Sequence, residues 1–125
     1  MKQTDILIID DEKKFAAMLS KRIQLRGYSA GVCYDGKTGL KWIKENKGCV
    51  ALILLDLQLP DIYGTKVLAG IRDMHPDIPV IVLTGHGTEQ DRKECEQLGA
   101  YQFIHKPLKI DTFMTILEQI REKSE

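Results

Sequence analysis

Five acidic, hydroxyl and basic side chains occur at the ends of hydrophobic segments in this 125-residue chain. They are Asp10, Asp11, Asp56, Thr84 and Lys106, in the stretches IIDDE, LILLDLQLP, LTGHG and HKP. A carboxylate at the end of a buried segment is costly to desolvate unless charged or polar partners compensate it. If these segments lie side by side, three carboxylates, a hydroxyl and an ammonium group would meet at one place.

The charges of this set do not cancel by themselves. The excess of negative charge would raise the carboxyl pKa values unless it were neutralised. A divalent cation would bring the sum to zero, and oxygen-only ligands favour a hard ion such as Mg²⁺. A carboxylate beside such an ion, an ammonium and a hydroxyl can act as a nucleophile toward a phosphoryl group. The residues therefore predict a Mg²⁺ site with one carboxylate free for chemistry.

The elements that must position these residues alternate along the chain. Apolar, β-branched segments predict strands over 5–10, 28–33, 50–56, 79–84 and 101–105, and helical periodicity predicts helices over 12–26, 38–46, 64–74, 88–98 and 110–121. This alternation favours an α/β fold with a parallel sheet, right-handed crossovers and helices on both faces. Sites in such sheets lie beyond the carboxyl ends of the strands. The helix over 88–98 offers only Cys95 and Leu98 to a core, so we expect it to be the most mobile.

Composition excludes several classes of protein. Lys plus Arg and Asp plus Glu both number 18, so no overall charge favours direct binding to nucleic acid. No N-terminal signal pattern and no apolar run long enough to span a bilayer occurs, so we expect no membrane association. Three widely spaced cysteines, Cys33, Cys49 and Cys95, predict buried thiols rather than a disulfide or a zinc site. Reduced cysteines are typical of a cytoplasmic protein.

The motifs IIDDE, LLDLQLPDIYG, VIVLTGHG and LGAYQFIHKP, followed by an amphipathic helix, resemble the receiver domains of two-component response regulators. Each motif is weak alone, but their order and spacing cover essentially the whole chain. The resemblance implies a doubly wound, flavodoxin-like (βα)5 fold with a five-stranded parallel sheet in the order 2-1-3-4-5. It also implies a single receiver domain over residues 1–125.

The resemblance assigns roles to the residues at the strand ends. It implies that Asp56 accepts the phosphoryl group and that Asp11, Asp56 and the backbone carbonyl of Gln58 bind Mg²⁺, with Asp10 acting mainly through water. Thr84 and Lys106 would contact the phosphoryl oxygens. The Lys106–Pro107 bond would be a cis peptide, which is uncommon for X–Pro bonds in general.

A conformational switch is also implied. The Thr84 hydroxyl would move toward the phosphoryl group, and the aromatic side chain of Phe103 would turn into the vacated space. The family often has tyrosine at that position, so a switch here would depend on packing alone. Gln58 and His86 occupy the two variable positions that would tune dephosphorylation. Tyr63 replaces the aspartate common before the loop glycine, and we expect little effect on the chemistry.

The resulting prediction is a phosphorylation-controlled signalling switch. It would take its phosphoryl group from a histidine kinase or phosphotransfer protein and signal to an unknown downstream protein or output domain through the fourth helix, fifth strand and fifth helix. Catalysis would be limited to Mg²⁺-dependent autophosphorylation and autodephosphorylation at Asp56. Phosphorylation-linked homodimerisation through the fourth and fifth helices is compatible with the pattern.

Three other functions compete with this prediction. A haloacid-dehalogenase-type phosphatase needs a second aspartate two residues after the nucleophile, where this chain has Gln58. A flavin-binding module needs a phosphate-binding loop after the first strand, where DDEKK would repel phosphate. A receiver that docks to a partner without being phosphorylated would keep the fold but lose the chemistry.

Overall fold

The computed structural model describes residues 4–46 and 48–124, so the predicted bounds at 1 and 125 lie outside the described residues. Strands and helices alternate five times, as predicted. The strands are β1 (Thr4–Ile9), β2 (Ala30–Cys33), β3 (Val50–Leu55), β4 (Val80–Thr84) and β5 (Gln102–His105). The helices are α1 (Lys13–Leu25), α2 (Gly36–Glu45), α3 (Gly64–Met74), α4 (Glu89–Gln97) and α5 (Ile110–Ser124).

The five strands form one parallel sheet in the order β2-β1-β3-β4-β5, which confirms the predicted flavodoxin-like topology. Ile9 pairs with Leu55, and Thr84 pairs with His105, so neighbouring strands end at the same level. The residues that follow them therefore meet at one edge of the sheet.

Each face of the sheet buries its own hydrophobic layer. Alternation along the strands sends Leu7 and Ile53 to one face and Ile6 and Leu52 to the other. The first layer packs on α2, α3 and α4, and the second packs on α1 and α5. This two-sided burial explains why β1, β3 and β4 are nearly continuous in apolar residues.

Three predicted boundaries were wrong by two or more residues, and one of them is the end of α5, which continues to Ser124 rather than ending at 121. β2 begins at Ala30 rather than at 28, because Ser29 is bound by Asp5: its N–H donates to Asp5 Oδ2 at 2.8 Å, and its Oγ accepts from the Asp5 N–H at 2.7 Å. α2 begins at Gly36 rather than at 38, because Asp35 is its N-cap and accepts from the Thr38 N–H at 2.7 Å.

The predicted burial of the cysteines and the sparse burial of α4 are confirmed, whereas the mobility expected of α4 stays a prediction. All three cysteines are buried and free. Of the residues in α4, only Cys95 is buried, and Leu98, just after the helix, is partly buried against the same layer. Within the described ranges, no helix is long and apolar enough to cross a membrane.

Candidate functional site at the carboxyl edge of the sheet

Two buried carboxylates stand next to each other because β1 and β3 are adjacent. Asp10 directly follows β1 and is 2% exposed, and Asp56 directly follows β3 and is 4% exposed. Backbone bonds continue the ladder to this point, since the Asp56 N–H donates to the Ile9 carbonyl at 2.9 Å. Asp11 is exposed beside them, and one oxygen of each of the three carboxylates lies within 4.8 Å of the others.

Lys106 reaches the same place from β5. Its ammonium Nζ lies 2.9 Å from Asp10 Oδ2, 3.4 Å from Asp56 Oδ2 and 2.7 Å from Glu12 Oε1. The long side chain therefore extends across the end of β4, with Nζ 4.5 Å from the centre of the Phe15 ring. The Lys106–Pro107 peptide bond is cis.

The electrostatics of the site follow from burial and pairing. Burial raises the pKa of Asp10 above its ordinary value, although hydrogen bonds from Lys106 and from the Glu12 N–H act in the opposite direction. Burial disfavours the charged ammonium of Lys106, but its hydrogen bonds to Glu12 and Asp10 outweigh that and raise its pKa. Lys106 is therefore firmly positive.

The donor set at this edge fits a hard divalent cation. Asp10, Asp11 and Asp56 present only carboxylate oxygens, and two of these side chains are buried. Buried carboxylates with one lysine between them retain excess negative charge, which such a cation would neutralise. The neighbouring Gln58 donates its N–H to Asp56 Oδ1 at 3.3 Å, and the predicted role of its carbonyl as a ligand stays a prediction.

Thr84 and Phe103 lie on either side of one glycine. Thr84 is fully buried at the end of β4, and its Oγ1 accepts from the His86 N–H at 3.3 Å. Phe103 is partly buried and packs against the hydrophobic layer between the sheet and α2, α3 and α4. A Cβ placed on Gly87 would lie 2.5 Å from Phe103 Cζ and 2.7 Å from Thr84 Cγ2, so the ring edge and the threonine methyl share one small space.

The structure thus brings Asp10, Asp11, Asp56 and Lys106 together, and it places Thr84 at the end of β4, the strand next to β3. Gln58 and His86 are exposed, and the N–H of each donates to one of the buried site residues, Asp56 and Thr84 respectively. What these residues do in dephosphorylation stays a prediction.

Sequence reasoning gave no role to two contacts at this edge. Glu12 makes the shortest bond to Lys106, and its only signal was a third acid in the run IIDDE. The Tyr63 hydroxyl donates to Asp91 Oδ2 at 2.9 Å, which joins the loop after β3 to the first turn of α4. Burial and this bond raise the pKa of Tyr63 to about 12. Nothing in local sequence pattern pairs residues so far apart.

Comparisons with known proteins agree with this geometry. The profile of the response regulator receiver domain matches residues 6–118. A putative NtrX-like response regulator of Rickettsia typhi is 32% identical over 98% of this chain, which corresponds to 26% of the relative. The transcriptional regulatory protein YkoG of Bacillus subtilis, described as uncharacterized, is 33% identical over 91% of this chain and 49% of its own length. The chain thus spans about a quarter to a half of these relatives.

Solved structures show the same fold. A CheY-like receiver domain protein from Methanospirillum hungatei superposes with a TM-score of 0.88 at 26% identity, covering 98% of both chains. The beryllofluoride-activated NtrC4 receiver domain dimer gives a TM-score of 0.86 at 30% identity, covering 97% of this chain and 98% of that one. With the profile match and the acidic edge of the sheet, these findings show that the chain belongs to the family of response regulator receiver domains.

Proposed function

We propose that this receiver domain is a switch whose phosphoryl acceptor is Asp56. The observation that carries the proposal is the Lys106 ammonium, which contacts both buried carboxylates, Asp10 and Asp56, at the carboxyl edge of the sheet. Asp56 is held rigidly by β3 and stays close to a fixed positive charge. A carboxylate in such a setting can act as a nucleophile toward phosphorus.

The proposed reaction is transfer of one phosphoryl group. A carboxylate oxygen of Asp56 forms the new P–O bond while the bond from phosphorus to the donor breaks. With a phosphohistidine of a histidine kinase or phosphotransfer protein, the electron pair returns to the imidazole nitrogen. With acetyl phosphate it leaves as acetate. Lys106 and the Thr84 hydroxyl then donate to phosphoryl oxygens, which stabilises the developing charge.

Asp10, Asp11 and Asp56, with the carbonyl of Gln58, would hold Mg²⁺ in this proposal. The bound cation supplies neutralisation of the negative charge on the phosphoryl oxygens. The support for Mg²⁺ is the all-oxygen donor set and its unbalanced charge.

The proposed switch uses Thr84 and Phe103. Movement of the Thr84 hydroxyl toward the phosphoryl group changes the space that its methyl and the Phe103 ring share beside Gly87. Gly87 lies just before α4, so repacking there reaches α4, β5 and α5, the proposed output surface. Phe103 has no hydroxyl, so this switch depends on packing alone.

The partners belong to the proposal as well. The donor is a histidine kinase or phosphotransfer protein of the cytoplasm, and the recipient of the signal is an output domain or a separate protein. Because the chain spans only part of its relatives, the output is not defined by these residues. Phosphorylation-linked homodimerisation is supported by the NtrC4 receiver, which was solved in an activated form as a dimer.

The lifetime of the phosphoryl group is the remaining part of the proposal. The receiver catalyses its own dephosphorylation, in which water attacks the aspartyl phosphate. Gln58 and His86 tune this step, which is supported by their exposure and by their own backbone N–H groups, which donate to Asp56 and Thr84 respectively.

Intact-protein mass spectrometry tests the acceptor directly. Wild type, Asp56→Asn and the control Asp73→Asn are incubated with Mg²⁺ and acetyl phosphate. Asp73 is an exposed aspartate of α3 and should not matter. We expect wild type and Asp73→Asn to gain one phosphoryl group and Asp56→Asn to gain none. A wild type that binds Mg²⁺ by calorimetry but gains no phosphoryl group, from acetyl phosphate or from a kinase, would instead indicate a receiver that only docks.

A further inference from the structure

All three N–H donors of the Lys106 ammonium have a carboxylate acceptor. An ammonium group has three N–H donors, and Asp10, Glu12 and Asp56 accept from Nζ at 2.9, 2.7 and 3.4 Å. The shortest of these bonds goes to Glu12, which is not one of the three carboxylates clustered for a cation. Lys106 is therefore fully engaged before any phosphoryl group arrives.

Glu12 differs from the other two acceptors in its exposure. Its side chain is 59% exposed, whereas those of Asp10 and Asp56 are 4% and 5% exposed. The contact between Lys106 and Glu12 therefore lies on the solvent side of the site. A small phosphodonor that approaches from solvent meets the Glu12 carboxylate before it meets the lysine.

The side-chain charge of Glu12 is not used to cap the helix that it precedes. It is the N-cap residue of α1, but its side chain makes no capping hydrogen bond. Its backbone N–H is held by Asp10 Oδ1 at 2.9 Å, a bond that a substitution of the side chain leaves in place.

We propose that Glu12 is a positioning and specificity-determining residue for phosphoryl transfer. It holds the Lys106 ammonium toward the opening of the site and adds a negative charge there. Both effects oppose free, highly charged phosphodonors and favour donors that a protein partner delivers. The inference rests on the proposed function, because it assigns a donor preference to the same reaction.

The test uses two small donors of different charge. Near neutral pH, acetyl phosphate is a dianion and phosphoramidate is a monoanion. The variant Glu12→Gln keeps the shape of the side chain and removes its charge. The control is Glu118→Gln, an exposed glutamate on α5. Rates of phosphorylation are measured by intact mass at saturating Mg²⁺, with saturation established by titration of each protein.

We expect Glu12→Gln to raise the rate with acetyl phosphate by about fivefold and with phosphoramidate by about twofold, since the repulsion scales with the donor charge. The difference should shrink at high salt, where charges are screened within a few ångström. Glu118→Gln should leave both rates unchanged. Equal effects on both donors, or no effect, would overturn the proposal, because a merely structural role would not depend on donor charge.

A second measurement reads the contact without any donor or metal. In ¹H–¹⁵N spectra recorded for ammonium groups, the bonded Lys106 should give a slowly exchanging signal in wild type and Glu118→Gln and a faster exchanging one in Glu12→Gln. An unchanged Lys106 signal in Glu12→Gln would refute the restraint on Lys106. Failure of the proposed function gives a different pattern, namely no phosphoryl gain in any of the proteins with either donor. That result would overturn the proposed donor preference as well.

Discussion

The two helices that flank β5 are held in different ways. α5 buries four large side chains against the sheet, those of Phe113, Ile116, Leu117 and Ile120. α4 buries only Cys95. Hydrophobic burial scales with apolar area, so α5 is anchored by four large side chains and α4 by a single small one.

Polar contacts at its two ends hold α4 in place. At the start, Thr88 and Asp91 form a reciprocal capping box, and Tyr63 donates to Asp91 from the loop after β3. At the end, the Arg72 guanidinium donates to the carbonyls of Leu98 and Gly99 at 2.9 and 2.8 Å. Such contacts contribute little net stability each and can exchange partners, so we expect α4 to shift more readily than α5.

The largest test of this contrast removes one apolar anchor from each helix. Phe113→Ala should lower the free energy of unfolding by about 3–5 kcal/mol, because it leaves a cavity in the core. Cys95→Ala should cost only about 1 kcal/mol, since it removes one sulfur atom. Urea denaturation followed by circular dichroism measures both. Similar losses from the two substitutions would show that α4 is anchored as firmly as α5.

A medium-sized effect is expected where α4 begins. In Gly87→Ala the added methyl would press on Phe103 and Thr84, so the ring must turn away or the variant must lose about 1–3 kcal/mol of stability. The matched control is Gly85→Ala, where the nearest atom is Lys106 Cδ at 4.0 Å. The NMR shift of the Thr84 methyl, which lies beside the ring, reports the position of Phe103.

The outcome separates a mobile ring from a fixed one. We expect Gly87→Ala to move the Thr84 methyl signal and Gly85→Ala to leave it nearly unchanged. Replacing Phe103 by leucine in the Gly87→Ala background should recover part of the lost stability, because contacting residues are energetically coupled. A full, additive loss in the double variant would argue that the ring and the glycine do not share a space.

Much of this molecule could be read from local pattern. The buried runs ending in Asp10 and Asp56 indicated central parallel strands, and parallel strands deliver their carboxyl ends to one edge. The scarcity of apolar residues in α4 was equally visible. These features depend on the periodicity of apolar residues and on the order of strands and helices, and both can be predicted from the sequence.

The missed features are side-chain contacts between distant parts of the chain. Glu12 and Lys106 are 94 residues apart, and Tyr63 and Asp91 are 28 apart. No periodicity links such pairs, because the geometry that joins them exists only after the sheet has formed. The early start of α2 was missed for a local reason, since Asp35 and Gly36 together are typical of a turn.

The smallest predicted effect concerns the bond that connects α4 to the loop after β3. Tyr63→Phe removes the hydroxyl that donates to Asp91, and because Tyr63 is 39% exposed we expect a loss of about 0.5–1 kcal/mol. Burial disfavours the ionised Asp91, but bonds from the Thr88 N–H, the Tyr63 hydroxyl and the Thr88 side chain outweigh this and lower its pKa.

The sign of the pH dependence follows from that lowered pKa. The stabilisation is fully present above the ordinary aspartate value of about 3.9 and is lost as the pH falls through the lower folded value, where Asp91 becomes protonated. The difference in unfolding free energy between wild type and Tyr63→Phe should therefore be constant near neutral pH and should decrease toward zero in acid. Tyr34→Phe, at another exposed tyrosine, serves as the control and should give a gap that does not depend on acid. A Tyr63→Phe gap that persists unchanged into acid would mean that Tyr63 stabilises the loop by packing, and α4 would then lack this polar connection to the site.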